Sequence, residues 1–284
     1  MTAKQALSME QHFCVDETNR RIKLTSCGPH AAEVAEAAVQ RAATLGYDKI
    51  WGFVSIAEWV ELSQLHFVRE GTLDGYFPDG PGIGVARYLS VERAQSRCDD
   101  VATAVAETAQ AQAATPPTPL PPGYVLRPAR RRDCQAISDI LTAVFATYPT
   151  PIDSAAAIAD AMDRDVAFML AEHEGAIVSV MSADIDREHL VAEMTDCATL
   201  PGYRGRGLMQ ALLARMEEEV RRIGLRSLFT LARATSPGMN IAFARLGYRY
   251  RGRFINNCHI AGDWEDMNLW VKLLDEARDD AHLN

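Results

Sequence analysis

The sequence lacks the features that define several protein classes. Its six cysteines include no Cys-x-x-Cys pair, so we expect reduced thiols in the cytoplasm and assign no disulfide framework and no metal. No run of about eighteen apolar residues predicts a membrane helix, and residues 1–14 do not resemble a secretion signal. With 29 Lys and Arg against 38 Asp and Glu, the chain also lacks the basic excess of a nucleic-acid binder.

What is present is the composition of a soluble protein with two modest domains. Of its 284 residues, 48% are hydrophobic and 24% are charged. An Ala-rich run followed by five prolines predicts a stiff linker over residues 99–123. This linker separates an N-terminal α/β region, 1–98, from a C-terminal domain, 124–274, with a tail at 275–284. The net charge of −9 suits a cationic small-molecule substrate.

Hydrophobic periodicity predicts an α+β domain with a mixed sheet after the linker. The pattern reads as a strand, two helices, three antiparallel strands, a helix, a strand, a helix and two final strands. The longest helix begins at Leu208 and carries an apolar stripe to Ile223, followed by Gly224. Because the N-terminal region shows the order helix, strand, helix and two strands, we predict a smaller, degenerate half-copy of the same fold there.

The most informative segment is the loop of residues 201–208, between a strand and that long helix. Glycines at 202, 205 and 207 let the backbone adopt positive φ and approach a bound group closely. The loop amides and the positive end of the helix dipole form an anion site, to which Arg204 and Arg206 add charge. The spacing matches neither the Rossmann fingerprint nor the P-loop. We therefore predict a diphosphate-binding loop, with a solvated glycine turn as the alternative.

With Arg204 and Gly207 at its first and fourth positions, this loop resembles the acetyl-CoA loop Gln/Arg-x-x-Gly-x-Gly/Ala of the GNAT N-acetyltransferases. The sixth position is Met209, which departs from that pattern. The predicted element order also matches the GNAT fold, so the resemblance implies acetyl-CoA as the acetyl donor. By the same resemblance the acetyl-CoA-binding residues are Cys197, Ala198, Thr199, Arg204, Gly205, Arg206, Gly207, Leu208, Asn240 and Phe243.

A narrower resemblance covers nearly the whole chain. Segments 69–77, 193–199, 203–209, 238–241, 255–257 and 266–270 are similar to the β-lysine N-acetyltransferases. That family acetylates the side-chain amine of β-lysine and produces Nε-acetyl-β-lysine, a compatible solute. The resemblance implies that the substrate site is lined by Tyr148, Asp153, Asn256, Asn257, Asp266 and Asn268. Taken singly, each of these residues is more typical of a turn or a surface.

Glu193 is the first candidate for the catalytic base that deprotonates the amine. It lies on a predicted strand 11 residues before Arg204, as the catalytic glutamate does in the histone-acetylating members of the superfamily. Its alternative role is to anchor the second ammonium of the substrate. Asp196 is the second candidate, because a carboxylate within an apolar strand needs a partner. Cys197 has no histidine placed to activate it and reads as a core thiol.

Position 243 leaves open how the departing thiolate is protonated. GNAT enzymes commonly have a tyrosine four residues before the closing glycine, here Gly247, and Phe243 cannot donate a proton. Tyr248, Tyr250, water or unassisted departure are the alternatives. Asn240 either binds the cofactor or caps its helix.

Three functions remain open at this point. They are β-lysine acetylation, acetylation of another amine such as a polyamine or a protein lysine, and binding of acyl-CoA as a non-catalytic sensor. We expect a small-molecule amine as partner, and neither nucleic acid nor membrane. The sequence does not determine the oligomeric state, a homodimer being one option.

Overall fold

The computed structural model describes residues 9–116, 119–145, 148–260 and 262–274, which form twelve strands and eight α-helices within these ranges. The strands are β1 Phe13–Asp16, β2 Arg21–Leu24, β3 Lys49–Val54, β4 Val68–Phe77, β5 Gly80–Tyr88, β6 Tyr124–Pro128, β7 Val166–His173, β8 Ala176–Asp186, β9 Val191–Thr199, β10 Ser227–Arg233, β11 Arg249–Ile260 and β12 Asp263–Leu273. The helices are α1 Ala31–Leu45, α2 Ile56–Ser63, α3 Val91–Ala94, α4 Asp99–Gln110, α5 Cys134–Val144, α6 Ala155–Asp163, α7 Leu208–Arg221 and α8 Pro237–Arg245. No helix in the described ranges is long and apolar enough to span a bilayer.

All twelve strands belong to one mixed sheet, in the order β1-β2-β3-β5-β4-β11-β12-β10-β9-β8-β7-β6. The order is mirrored about the junction between β4 and β11. The neighbours β2 and β3 are parallel, as are β9 and β10, and in each half the last strand of the chain lies between two earlier ones. The N-terminal half therefore has the same strand order as the final five strands, and its origin as a half-copy stays a prediction.

Helices cover the C-terminal part of the sheet on both faces. On one face, α4, α7 and α8 bury a cluster that includes Leu212, Met216, Phe243 and Trp270. On the other face, α5 and α6 bury a second cluster around Ile137 and Phe168 against β7 and β8. The amphipathic stripe predicted for α7 is the side that packs, since Leu208, Leu212, Met216 and Val220 are buried. These two layers fix the position of the loop that precedes α7.

The sheet folds back on itself at the junction of the two halves. The strands β3 and β10 are five steps apart in the sheet, a distance of about 24 Å if the sheet were flat. Yet the ring of Phe53 on β3 lies 5.8 Å from that of Phe229 on β10 and 5.7 Å from that of Phe254 on β11. The face of the sheet that the two halves share is therefore concave. We call this concave face the groove, and the buried aromatic cluster, which also includes Trp51, forms its floor.

The junction between β4 and β11 requires glycine. The two strands pair at Gly71 and Gly252, and Gly252 has φ 145°. A Cβ atom at position 252 would lie 2.1 Å from the carbonyl oxygen of Glu70, far inside van der Waals contact. Only a residue without a side chain permits this approach of the two backbones.

Beside this pair, β11 bulges, and side chains of the N-terminal half bind its backbone. Three successive carbonyl oxygens of β11 each accept a hydrogen bond from a different cation. These bonds join Lys49 to Ile255 (2.7 Å), Arg93 to Asn256 (2.9 Å) and Arg21 to Asn257 (2.7 Å). Buried charged side chains thus join the two halves, in addition to the aromatic cluster and the single strand pair.

Most predicted elements of the C-terminal domain are present, with ends shifted by a few residues. The structure differs at residues 99–110, which the sequence analysis assigned to the linker. They form α4, because Ala102, Val105, Ala106 and Ala109 bury one face of the run. The short strands β1 and β2 were not predicted. The predicted tail at 275–284 lies outside the described ranges.

Candidate active site

A cavity of about 780 Å³ opens where β9 and β10 separate. The two strands pair in parallel only from Val191 to Glu193 and from Ser227 to Phe229. Both strands continue beyond this ladder, β9 to Thr199 and β10 to Arg233, without pairing to each other. Residues from the predicted loop, β9, β10 and α8 line the gap between them. The gap gives a ligand access through the sheet from one face toward the other.

A β-bulge in β9 shapes the wall of this gap. The ladder between β8 and β9 shifts register between Val180 and Ser182, and Asp196 adopts the left-handed conformation with φ 49°. Aspartate is one of the few residues that tolerate this region. The bulge interrupts the alternation of side chains, and Thr195, Asp196 and Cys197 all line the cavity.

The glycine loop forms the opposite end of the cavity. Gly205 and Gly207 both have φ 76°, and Gly207 is the residue at which α7 begins, with no side chain capping the helix. The first intrahelical bond at this end is donated by the amide of Ala211. The amides of Leu208, Met209 and Gln210 therefore have no acceptor within the helix, and all three residues line the cavity. This arrangement fits a diphosphate.

The two arginines of the loop have different surroundings. Arg204 lines the cavity with an exposed side chain, and its Nε donates to the carbonyl of Thr199 at 3.0 Å. Arg206 does not line the cavity. Its guanidinium donates to the hydroxyl of Tyr124 at 2.7 Å and to the carbonyl of Gly202 at 3.1 Å. Arg206 therefore holds the loop against β6.

Other residues predicted to bind the cofactor differ in whether they line the cavity. Phe243 lines the cavity although it is nearly fully buried, while Ala198 faces the cluster under α5. Asn240 is completely buried and its amide is used within the fold. It donates to the carbonyls of Arg233 and Ser236 and accepts from Asn268 and Trp270. The structure thus favours the structural alternative for Asn240, in which it holds the start of α8.

Glu193 lies on the face of β9 that is turned toward the N-terminal half. Its cross-strand partner on β8 is Asp184, and its partner on β10 is Phe229, which belongs to the aromatic floor of the groove. Burial is the main cause that raises the pKa of Glu193 to about 7. The nearby positive charge of Lys23 opposes this shift and the negative charge of Asp184 adds to it. Glu193 is therefore balanced between its two protonation states near neutral pH.

Asp196 is held in a polar network at the bulge. Its carboxylate accepts a hydrogen bond from Ser182 at 2.6 Å and also binds the hydroxyl of Tyr148. Burial raises the pKa of Asp196, and these two hydrogen bonds oppose the shift. Burial likewise raises the pKa of Tyr148 well above its usual range. The network places Asp196 and Tyr148 together on the cavity wall.

Cysteine and tyrosine chemistry is unfavourable at the buried positions near the site. Burial raises the pKa of the Cys197 thiol far above its usual value, which suits the predicted core thiol. Tyr248 is buried behind Phe243, with its ring 5.1 Å away, and does not line the cavity. Tyr250 packs against Trp270. The described residues contain no group of three or more metal-ligating side chains.

Of the six predicted substrate residues, only Tyr148 lines the cavity. Asp153 is exposed just before α6. Asn256 and Asp266 are buried in the β11 bulge, where Asp266 accepts from the amide of Asn256 at 2.7 Å. Asn268 binds Asn240, and Asn257 is fully buried.

The sequence analysis did not predict three further residues in or beside the site, namely Asp184, Ser182 and Tyr203. Cross-strand register with the predicted Glu193 is the signal that identifies Asp184.

Comparisons with known proteins agree with this geometry. Residues 134–248 match the model of the Acetyltransferase (GNAT) family. A Beta-lysine N(6)-acetyltransferase of Methanococcus maripaludis is 30% identical over 259 residues, 91% of this chain and 94% of that protein. The chain belongs to the GNAT acetyltransferase family. The matched GNAT region runs from α5 to the residue before β11 and contains the bulge of β9, the glycine loop, α7 and α8.

Two further relatives of this GNAT chain cover shorter stretches. A Beta-lysine N(6)-acetyltransferase of Methanosarcina mazei is 42% identical over 155 residues, which are 55% of this chain and 57% of that protein. The N-acetyltransferase YodP of Bacillus subtilis is 37% identical over 216 residues, 75% of this chain and 78% of that protein. The similarity to the Methanococcus protein extends beyond the GNAT region into the N-terminal half, since it covers nearly the whole of both chains.

Proposed function

We propose that this GNAT chain transfers the acetyl group of acetyl-CoA to the side-chain amine of β-lysine and produces Nε-acetyl-β-lysine. The observation that carries the proposal is the gap between β9 and β10, which leads from an uncapped helix start past Asp196 to Phe229 and Glu193, the last pair of the ladder between the two strands. The names of the two Beta-lysine N(6)-acetyltransferases similar to this chain support β-lysine as the acceptor.

The residues at the loop end of the cavity suit the donor. The amides at Gly205, Gly207 and the first turn of α7 bind the diphosphate, and the exposed Arg204 adds charge beside them. Beyond Glu193, β9 has no partner on its β10 side within the described chain. Its backbone amides near Cys197 can therefore polarise the thioester carbonyl, as an oxyanion site does.

The carboxylates at the other end suit the acceptor. With its pKa raised to about 7 by burial, Glu193 can accept a proton from the ammonium at physiological pH. The neutral amine nitrogen then bonds to the acetyl carbon, the carbon–sulfur bond breaks and the thiolate departs, and the nitrogen releases its second proton to solvent to form the amide. Since Phe243 has no acidic proton and Tyr248 lies behind it, the thiolate takes its proton from solvent.

A thiol-release assay with acetyl-CoA and a panel of amines tests the proposal. We expect turnover with β-lysine and little or none with α-lysine or spermidine. Preference for spermidine or for a peptide lysine would assign the enzyme to another acceptor. Tight acetyl-CoA binding in calorimetry with no turnover on any amine would make the chain a sensor and would contradict the proposal. Because all six cysteines are free, we also propose a reducing compartment, the cytoplasm, as its location.

A further inference from the structure

The N-terminal half contributes a cation to the groove that contains Glu193. Lys23 on β2 pairs with Trp51 on β3 as Cα partners, and its ammonium lies 5.6 Å from the centre of the Trp51 ring. Trp51 and Phe53 point to the same face of β3, and Phe53 packs against Phe229. Because Phe229 is the partner of Glu193, both charged residues border the same aromatic floor.

Lys23 and Glu193 hold equivalent positions in the two halves of the sheet. In the parallel ladder between β2 and β3, Lys23 occupies the third pair, opposite the aromatic Trp51. In the parallel ladder between β9 and β10, Glu193 occupies the third pair, opposite the aromatic Phe229. The strand order is mirrored about the junction, so the two residues border the groove from opposite sides. One side therefore presents a cation where the other presents a carboxylate.

The ammonium of Lys23 lies near enough to Asp184 and Glu193 to act electrostatically on both carboxyl groups, but it forms no close ion pair with either. Its neighbour Arg21 is committed, since it binds Asp16 at 2.8 Å and the carbonyl of Asn257 at 2.7 Å. By contrast, no ion pair within 4.0 Å involves Lys23 in the described part of the chain, and its side chain is exposed. Asp184, beside Glu193, is exposed and has no hydrogen-bond partner among the described residues.

We propose that Lys23 binds the carboxylate of the acceptor and that Asp184 binds its second ammonium, so that the N-terminal half determines substrate specificity. This inference rests on the proposed function. The charges of the groove are then complementary to those of an amino acid with two amines. The GNAT side presents two carboxylates for the two ammonium groups, and the N-terminal side presents one cation for the carboxylate. The reacting amine lies at Glu193, next to the gap through which the acetyl group arrives.

Two acceptor analogues separate the two contacts. The compound 6-aminohexanoate is β-lysine without its second amine, and pentane-1,4-diamine is β-lysine without its carboxylate. Steady-state kinetics are measured with β-lysine and both analogues for wild type, Lys23→Met and Asp184→Asn. Both substituted residues are exposed, so we expect the variants to fold. Arg97→Met, which removes an exposed partner of Asp263 in the same half, is the matched control for loss of a surface cation.

We expect Lys23→Met to raise KM about tenfold or more for β-lysine and 6-aminohexanoate, the cost of a hydrogen bond between charged groups. KM for the diamine should stay unchanged when all three acceptors are assayed at about pH 9, where Glu193 is deprotonated with or without the charge of Lys23. We expect Asp184→Asn to raise KM for β-lysine and the diamine and to leave 6-aminohexanoate unchanged. KM for acetyl-CoA stays constant in both variants.

Equal effects of Lys23→Met on all three acceptors, or none, would overturn the inference. If wild type acetylates β-lysine while both variants match Arg97→Met, only this assignment fails. If wild type acetylates none of the three compounds, the proposed function fails and the inference with it.

Discussion

Two carboxylates three residues apart on β9 have opposite environments. Glu193 borders the groove without a hydrogen-bond partner from a side chain of the described residues, and burial is the main cause of its raised pKa. Asp196 is fixed by Ser182 and Tyr148 in a left-handed bulge. A raised pKa with no side-chain partner suits a residue that exchanges protons. Two fixed hydrogen bonds suit a residue that stabilises a particular backbone conformation. We therefore propose Glu193 as the base and Asp196 as the residue that positions the bulge of β9.

Replacing Glu193 with Gln should lower kcat by about 10²–10⁴-fold and leave the acetyl-CoA dissociation constant nearly unchanged. The base acts only when deprotonated, so in wild type kcat/KM should fall about tenfold per pH unit below about 7, and the variant should lose this dependence. Stopped assays from pH 5 to 9 and calorimetry with acetyl-CoA measure both quantities. Equal losses in turnover and acetyl-CoA binding would contradict the assignment.

The same pKa shift has a consequence for stability that does not involve catalysis. The folded protein holds the Glu193 proton more tightly than the unfolded chain, whose glutamate titrates near 4.5. This contribution to the unfolding free energy is present below about pH 4.5 and is lost as pH rises through about 7. Urea unfolding at both pH limits should show a smaller pH dependence in Glu193→Gln than in wild type. Identical pH dependence in the two proteins would argue against a raised pKa.

Asp196→Ala should destabilise the fold by about 1–3 kcal/mol, because it leaves the buried hydroxyls of Ser182 and Tyr148 without their acceptor. Asp196→Asn is the matched control, since its amide oxygen keeps an acceptor and asparagine tolerates the left-handed backbone. Urea unfolding measures the stability, and KM for acetyl-CoA reports the shape of the bulge. Comparable losses in both variants would mean that the charge, rather than the acceptor, is required.

At the scale of single residues, more of the residues predicted for the donor line the cavity than of those predicted for the acceptor, and both roles stay predictions. Arg204, Gly205, Gly207 and Leu208 line the cavity, and glycine spacing indicates the backbone geometry of this loop. The polar residues of β11 and β12 were assigned to the substrate, yet their side chains are used inside the bulge of β11. A hydrogen bond to a carbonyl distant in sequence has no local pattern, so burial of this kind is invisible before the fold is known.

At the scale of elements, the loop before α7 depends on glycine at positive φ. Gly205→Ala should raise the acetyl-CoA dissociation constant, because an L-residue in the left-handed region costs about 1–2 kcal/mol, roughly a tenfold effect. Gly202→Ala is the matched control, since Gly202 lacks positive φ and a Cβ there meets nothing within 4 Å. Calorimetric titration with acetyl-CoA compares the two. A weakening of the same size in both would indicate that loop flexibility, and not φ, is limiting.

Helices and strands of the C-terminal domain were predictable because their apolar periodicity is strong. The helix α4 was not predicted, since an alanine-rich run next to five prolines reads as a linker. Its small residues pack closely, and α4 lies against α8. The strands β1 and β2 are only four residues long; in β1 only Phe13 is buried, and β2 alternates polar and apolar side chains. Short edge elements of this kind acquire their structure from neighbouring strands, which periodicity does not show.

At the scale of the whole molecule, buried charges join the two halves. Lys49 and Glu70 are almost fully buried and bind each other at 3.1 Å, and burial lowers the pKa of Lys49 to about 8. Lys49→Met should lower the unfolding free energy by about 3–5 kcal/mol, because Glu70 and the Ile255 carbonyl lose their partner. Urea unfolding measures the loss.

The surface pair Arg97–Asp263 supplies the reference for this change, and Arg97→Met should cost less than about 1 kcal/mol. A Lys49→Met protein as stable as Arg97→Met would show that the buried charges contribute little to joining the halves.

The bulge of β11 also reverses the usual order in which a sheet opens. Central strands normally exchange their amide protons last, because neighbouring strands shield them. Here the amides of Ile255 and Asn256 are bonded to the carboxylates of Glu70 and Asp266, in the middle of twelve strands. A side chain can rotate away from an amide without any separation of two strands. The amides of Ile255 and Asn256 should therefore exchange before those of the ladders on either side of them.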